Sequence, residues 1–104
     1  MKLFLLRHAK ARDTWPDPER ELAKVGREQV EKLASVVDSA QFCDVVQIWH
    51  SPYARAEQTA RIFAEKTFMT AQFVPTPTIT PEDNPYDTAR IVASLSCFGK
   101  DLMI

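Results

Sequence analysis

Arg7-His8 directly follows Leu3-Phe4-Leu5-Leu6, the first apolar run of the chain. Arg55 lies in Ser51-Pro52-Tyr53-Ala54-Arg55-Ala56-Glu57-Gln58-Thr59-Ala60, just after the second apolar run. A neutral imidazole is a nucleophile able to take a phosphoryl group. Guanidiniums offer forked donors that match phosphate oxygens. Each group sits where a strand hands over to the next element, the edge at which open α/β sheets bind ligands. If the two strands are neighbours, Arg7, His8 and Arg55 converge on one point. This arrangement predicts phosphoryl transfer through a phosphorylated His8, with Arg7 and Arg55 as clamps. Guanidiniums can neutralise the phosphoryl oxygens, so the chemistry needs no metal and no cofactor. The chain has only two glycines, no phosphate-cradling glycine loop and no carboxylate cluster for magnesium.

Other marked residues have blander readings. An Arg-His pair alone reads as a surface ion pair; Arg55 at the second strand end is what shifts the balance. On spacing alone Arg20 is a solvated loop residue. His50, beside Ser51, reads as a satisfied structural histidine. Glu82 and Asp83 read as a solvated turn, and Trp15 and Trp49 as packing groups.

The elements that must hold these residues follow from periodicity. Lys2–Leu6 is nearly continuous in apolar residues, as in a strand buried on both faces. Lys10–Arg20, with Pro16 and Pro18, is a loop. Leu22, Gly26, Val30, Leu33 and Val37 recur at helical spacing, with Lys24, Arg27, Glu28, Glu31 and Lys32 on the wet face. Asp44–Trp49 reads as a second strand. Ser51-Pro52 reads as a helix start, Ser as N-cap and Pro in the first position, with Ala56, Ala60 and Phe63 on the buried face. Gln72–Val74 is a short third strand, and Pro75–Pro85, with four prolines, a loop. Ala89, Ile91, Val92 and Leu95 mark a third helix ending near Gly99, and Asp101–Ile104 opens another strand. The order β-α-β-α-β-α-β predicts an α/β fold: three layers, α/β/α, around a mostly parallel central sheet.

Composition bounds the rest. The 104 residues make one domain, and 45% hydrophobic content argues against disorder. A net charge of −1, with both signs interspersed, gives no footprint for nucleic acid and no polybasic anchor. The first apolar run is too short for a membrane span and lacks a cleavage site, so a cytoplasmic protein is expected. Cys43 and Cys97 read as structural thiols rather than a disulfide or zinc site.

Leu6-Arg7-His8-Ala9-Lys10-Ala11 and the Ser51–Ala60 stretch resemble the two signatures of the histidine phosphatase superfamily, which includes the cofactor-dependent phosphoglycerate mutases. Arg20-Glu21-Leu22 with Gly26 is similar to the Arg-x-Leu-x-x-x-Gly stretch of its small SixA-type phosphohistidine phosphatase branch. The resemblance is strong from Met1 to about Ala64. It implies a phosphoglycerate mutase-like fold, His8 as the phosphorylated nucleophile, Arg7 and Arg55 as phosphate clamps, and Arg20 as a further phosphate-binding arginine. It also implies a signalling partner, a phosphorylated histidine-containing protein such as a histidine phosphotransfer domain.

Three departures stand out. Ala23 replaces a helix-capping Thr of the small branch. Thr78, before Ile79-Thr80-Pro81, stands where many relatives carry an acid; Glu82 or Asp83 could substitute. Relatives carry a second histidine just after the final core strand, a position beyond Ile104. Residues 1–104 are therefore expected to be the N-terminal part of a single histidine phosphatase domain, with an uncovered sheet edge or face near Ile104 if the chain stops there.

The missing acid bears on substrate. An ester expels a poor alkoxide, which gains from a general acid; phosphohistidine expels an imidazole, which leaves readily once protonated. This favours a phosphohistidine phosphatase over the alternatives, a small phosphomonoesterase of the same superfamily or a non-catalytic phosphate-binding module. Short loops without an inserted cap imply a site open to a protein side chain.

Overall fold

The computed structural model describes residues 1–95 and 100–104. Four strands form one sheet: β1 (Leu3–Phe4), β2 (Val45–His50), β3 (Gln72–Pro75) and β4 (Asp101–Met103). Their spatial order is β1-β4-β2-β3, and every pairing is parallel. The helices are α1 (Lys24–Val36), α2 (Ala54–Lys66) and α3 (Pro85–Leu95), with short 3-10 turns at Asp17–Glu19 and Ser39–Phe42. The alternation of strand and helix thus gives the expected α/β fold with a parallel sheet. The expected end of α3 near Gly99, and Cys97, lie outside the described residues.

β1 and β2 are not direct neighbours; β4 lies between them. It is fixed to β1 by Leu102 N–H to Lys2 C=O, 3.0 Å, and Ile104 N–H to Phe4 C=O, 2.9 Å. Leu6 N–H then donates to Ile104 C=O at 2.7 Å, so the segment entering Arg7 is still paired with the continuation of β4. The side chain of Asp101 adds an acceptor for Lys2 N–H at 2.7 Å.

One face of the sheet packs on α1 and α2. Val30 and Ala34 of α1, Ala60, Phe63 and Ala64 of α2, and Val45, Ile48 and Met103 of the strands share one core, with Phe4 and Leu6 against it. Phe42 bridges Phe4 and Phe63 through edge-to-face contacts at 5.0 and 5.5 Å, a geometry aromatic quadrupoles favour. A bulge between Val45 and Gln47 sets two β2 residues against one of β4; Val45 and Ile48 are both buried while Val46 is exposed. Away from that core, Leu95 at the end of α3 lines a cleft with Met1, Val46 and Leu102, and no residue of α3 is buried.

Several expectations need correction. Lys2–Leu6 is not buried on both faces: Phe4 and Leu6 pack on the core, whereas Leu3 and Leu5 are exposed. An edge strand has fewer neighbours to cover its second face, and alternation wins over the continuous apolar run. Ser51-Pro52 does not start α2; Tyr53 is the N-cap, and Ser51 Oγ instead accepts from Tyr53 N–H at 3.2 Å in a tight turn. Trp15 is 87% exposed and packs on nothing in the core, while Trp49 is buried and donates Nε1–H to Gln47. Cys43 is a free, exposed thiol rather than a core residue. Ala23 is the N-cap of α1 and supplies no side-chain cap, as its departure from Thr implies.

Two backbone positions invite a test. A Cβ on Gly26 would lie well inside contact distance of the Lys10 carbonyl, which also accepts from Ala23 N–H. Phe68 follows α2 with φ of 60°, a left-handed conformation that costs a residue with a Cβ about 1–2 kcal/mol. In urea denaturation, Gly26→Ala is expected to destabilise the fold by about 1–3 kcal/mol through backbone displacement. Phe68→Gly is expected to stabilise it by up to about 1 kcal/mol, since this exposed ring loses little packing.

Candidate active site

The C-terminal ends of β1, β2 and β4 open into a cavity of about 280 Å³. Arg7 and His8 reach it from the segment after β1, His50 and Ser51 from the end of β2, and Arg55 and Thr59 from α2. Ile79, Thr80 and Pro81 close it from the loop before α3. The sheet order therefore brings Arg7, His8 and Arg55 around one space even though β4 separates their strands.

His8 is exposed at the mouth. Its Nδ1 lies 2.8 Å from the Ala9 carbonyl oxygen. A carbonyl can only accept, so Nδ1 carries a hydrogen, and in the neutral ring it is Nε2 that holds the lone pair. Ala9 is held in turn by Thr59, whose Oγ1 accepts from Ala9 N–H at 3.2 Å while donating to the Arg55 carbonyl at 2.7 Å. One buried hydroxyl thus fixes the backbone beside His8 to the helix turn that carries Arg55. Gln29 and Gln58 extend the stitching. Gln29 Oε1 accepts from Lys10 N–H at 3.3 Å, and Gln58 Oε1 from Leu22 N–H at 2.7 Å.

Arg55 is 7% exposed and stacks over Tyr53, 4.8 Å from the ring centre. Its Nη1 donates to the Asp17 carbonyl at 3.0 Å and to Oδ1 at 3.3 Å; its Nη2 donates to Oδ2 at 3.4 Å. These contacts use at most three of the five N–H donors of a guanidinium. Arg20 does not line the cavity. It donates from Nη1 to Asp17 Oδ1 at 3.0 Å and from Nε to the Arg12 carbonyl at 2.7 Å, so it acts on the site through Asp17. The hydrogen bond from Arg20 lowers the Asp17 carboxyl most; burial opposes it, and the hydrogen bond and charge of Arg55 tip the balance, so the carboxyl lies below its usual range.

The two carboxylates before α3 are engaged. Glu82 accepts from the Tyr53 hydroxyl at 2.8 Å, which holds its carboxyl below the ordinary range and raises the Tyr53 phenol. Asp83 accepts from the Thr80 hydroxyl and N–H at 2.7 and 3.2 Å. Thr78 pairs with Thr88 at 3.4 Å. His50 is only half satisfied: Nδ1 lies 2.9 Å from the Ser51 carbonyl oxygen, but its buried Nε2 has no partner.

Comparison with known proteins gives the family and the fold. The family model of the histidine phosphatase superfamily, branch 1, matches residues 3–76. The chain belongs to that superfamily. No curated protein matches it. Among solved structures it is similar to the protein histidine phosphatase SixA complexed with tungstate, with a TM-score of 0.87 and 23% identity over 99% of this chain and 67% of that one. A protein described as phosphohistidine phosphatase SixA from Agrobacterium tumefaciens gives 0.80 and 21%, over 98% of this chain and 66% of that one. A protein so described from Nakamurella multipartitia gives 0.76 and 21%, over 97% and 55%. At these identities the likeness establishes the shared fold. This histidine phosphatase domain thus spans about two thirds or less of the solved chains it resembles. Among its described residues no helix is long and apolar enough to cross a membrane, and no His, Cys, Asp and Glu group could hold a metal ion.

Sequence reasoning missed Thr59 and Asp17 as parts of the site. Thr59 stood within a quoted motif without a role, and Asp17 stood three residues before Arg20, a spacing compatible with pairing in a turn. Thr59→Val removes the acceptor of Ala9 N–H. It is expected to cost about 1 kcal/mol in denaturant unfolding and to broaden the His8 ring resonances. Asp17→Asn removes a carboxylate that competes for Arg55. It is expected to tighten inorganic phosphate binding up to about fivefold in calorimetry, the scale of an exposed ion pair. The depressed Asp17 carboxyl also sets a sign. Its contribution to stability is present above the unfolded carboxylate range and is lost as pH falls through the lowered folded value, so Asp17→Asn is expected to flatten the acid limb of a pH–stability curve.

Proposed function

We propose that the domain is a phosphohistidine phosphatase, working through a phospho-His8 intermediate on a phosphorylated protein histidine. The observation that carries the reading is the placement of His8: its Nδ1–H is committed to the Ala9 carbonyl, which leaves Nε2 for chemistry in the cavity that Arg7 and Arg55 also line. The tungstate in the similar SixA supports it, since tungstate is a tetrahedral oxyanion like phosphate.

The chemistry balances without an added acid or metal. The substrate ring enters protonated on its far nitrogen and phosphorylated on the other. His8 Nε2 forms a bond to phosphorus as the substrate's N–P bond breaks, and the substrate leaves as neutral imidazole. The positive charge passes to the His8 ring, where Nδ1–H to Ala9 stabilises it. Water then attacks phosphorus, the His8 N–P bond breaks, and dihydrogen phosphate leaves with both protons of the water; His8 returns to its neutral form. Arg7 and the unpaired donors of Arg55 neutralise the oxygens in both steps.

An ester substrate would need a proton for its alkoxide. The nearby carboxyl Glu82 is held ionised by Tyr53, and Asp83 is bound to Thr80; neither stands ready to donate. This favours the phosphoramidate. The fit is to a histidine phosphotransfer domain or a similar phosphohistidine carrier, because the mouth exposes His8 to a protein side chain.

Rapid quench with a phosphohistidine protein is expected to trap acid-labile, base-stable phosphate on His8. His8→Ala abolishes both trapping and turnover with the fold intact, and Arg55→Ala lowers the rate about a hundredfold. Chelators leave turnover unchanged. Para-nitrophenyl phosphate is expected to be turned over far more slowly than phosphohistidine. Activity in His8→Ala, or its loss with a chelator, overturns the mechanism; equal use of the ester overturns the substrate class.

A further inference from the structure

His50 ends β2 and is 5% exposed. Its ring lies edge-on to Phe73 at 6.3 Å, and it lines the same cavity as Arg7, His8 and Arg55. Nδ1 faces the Ser51 carbonyl oxygen, an acceptor, so Nδ1 must donate. In the neutral ring this tautomer leaves a bare lone pair on Nε2. Among the described residues, Nε2 of His50 is the buried side-chain polar atom left without a partner. A buried polar atom left unpaired is costly. The cost is removed if the cavity's occupant supplies the missing partner.

We propose that His50 is a phosphate-contact residue, its Nε2 sharing a proton with an oxygen of the phosphoryl group bound beside His8. The proposal rests on the reading of this cavity as a phosphate site and adds a residue that neither signature motif assigns. The charged and titratable groups around the ring's cavity are Arg7 and His8 after β1, and Tyr53 and Arg55 at the start of α2. Phe73 in turn lies under the Arg61 guanidinium, 4.5 Å from the ring centre. Into this cationic set a phosphate brings negative charge. The proton can come with a monoprotonated phosphate, whose hydroxyl donates to Nε2. A fully ionised phosphoryl group instead requires His50 to hold a second proton, so that both ring nitrogens donate. Neither case breaks a covalent bond other than that to the shared proton.

The test is nitrogen-15 NMR of the two histidine rings during titration with inorganic phosphate. The expected result is a shift of the His8 ring together with a change at His50 Nε2, while His50 Nδ1 stays hydrogen-bonded. A shift at His8 with His50 unmoved overturns the proposal and leaves the phosphate site standing. No change at either ring overturns both. Two variants separate contact from packing. The Asn amide of His50→Asn reaches toward the Nδ1 position and loses Nε2; the Gln amide of His50→Gln reaches toward Nε2. His50→Asn is expected to weaken phosphate binding roughly tenfold, the scale of a charge-assisted hydrogen bond. His50→Gln is expected to restore it to within about threefold of the parent. Equal losses in the two variants make the role one of packing and overturn the proposal. The NMR titration decides the matter if either variant fails to fold.

Discussion

The candidate site depends on one hydroxyl. Thr59 is 2% exposed and faces two ways, accepting from the backbone after His8 and donating to the backbone of Arg55. The two residues come from distant parts of the sequence, one after β1 and the other in the first turn of α2, which follows a strand that β1 does not touch. A sheet fixes strand ends to within its own spacing, but it does not fix the loop that leaves a strand. That loop is set by the bond from Ala9 to Thr59, by the bond from Lys10 to Gln29, and by the close approach of Lys10 to Gly26. These contacts make α1 and α2 the jig for His8, the proposed nucleophile, with the β strands supplying direction. Catalysis by positioned groups demands this kind of support, because small misplacements of a nucleophile are expensive in rate.

Arginine pairing gives the site its resting state. Asp17 occupies part of the Arg55 fork, and Arg20 holds Asp17 there. A buried guanidinium without an anion would be costly. The loop carboxylate therefore stabilises Arg55 until a stronger anion arrives, and it keeps the donors aligned in the meantime. Under the proposed function that anion is a phosphoryl group, which has more charge and more acceptor oxygens than a carboxylate.

Much of this was legible in the sequence, for identifiable reasons. Arg7, His8 and Arg55 announced themselves because each stood at the end of an apolar run, and chemistry at strand ends is a property of the fold class. The strand and helix order followed from periodicity. What stayed hidden depended on tertiary partners. The exposure of Leu3 and Leu5 reflects β1 lying at a sheet edge, which composition cannot reveal. Ser51-Pro52 carried the local signature of a helix start, yet the turn it makes delays α2 to Ala54, because the chain must first clear the cavity. The pairing of Asp17 with Arg55 spans 38 positions and has no local signal at all. His50 looked satisfied because one ring nitrogen is; the other becomes visible only when its surroundings are.

The last strand of the described sheet sits second in space, between β1 and β2. Lys2 and Asp101, 99 positions apart, are hydrogen-bonded, and Leu6 is paired to Ile104. Such non-local pairing slows folding, since loop closure must come before the contacts that reward it. On the ribosome the chain emerges from its first residues onward. The segment bearing Arg7 and His8 leaves the exit tunnel before β4 does, and Phe4 and Leu6 lack their strand partner until β4 has been synthesised. Until then α1 and α2 can pair with each other, but β1 has no strand to lie against. His8 is thus made well before β4, the strand that its own strand must lie against.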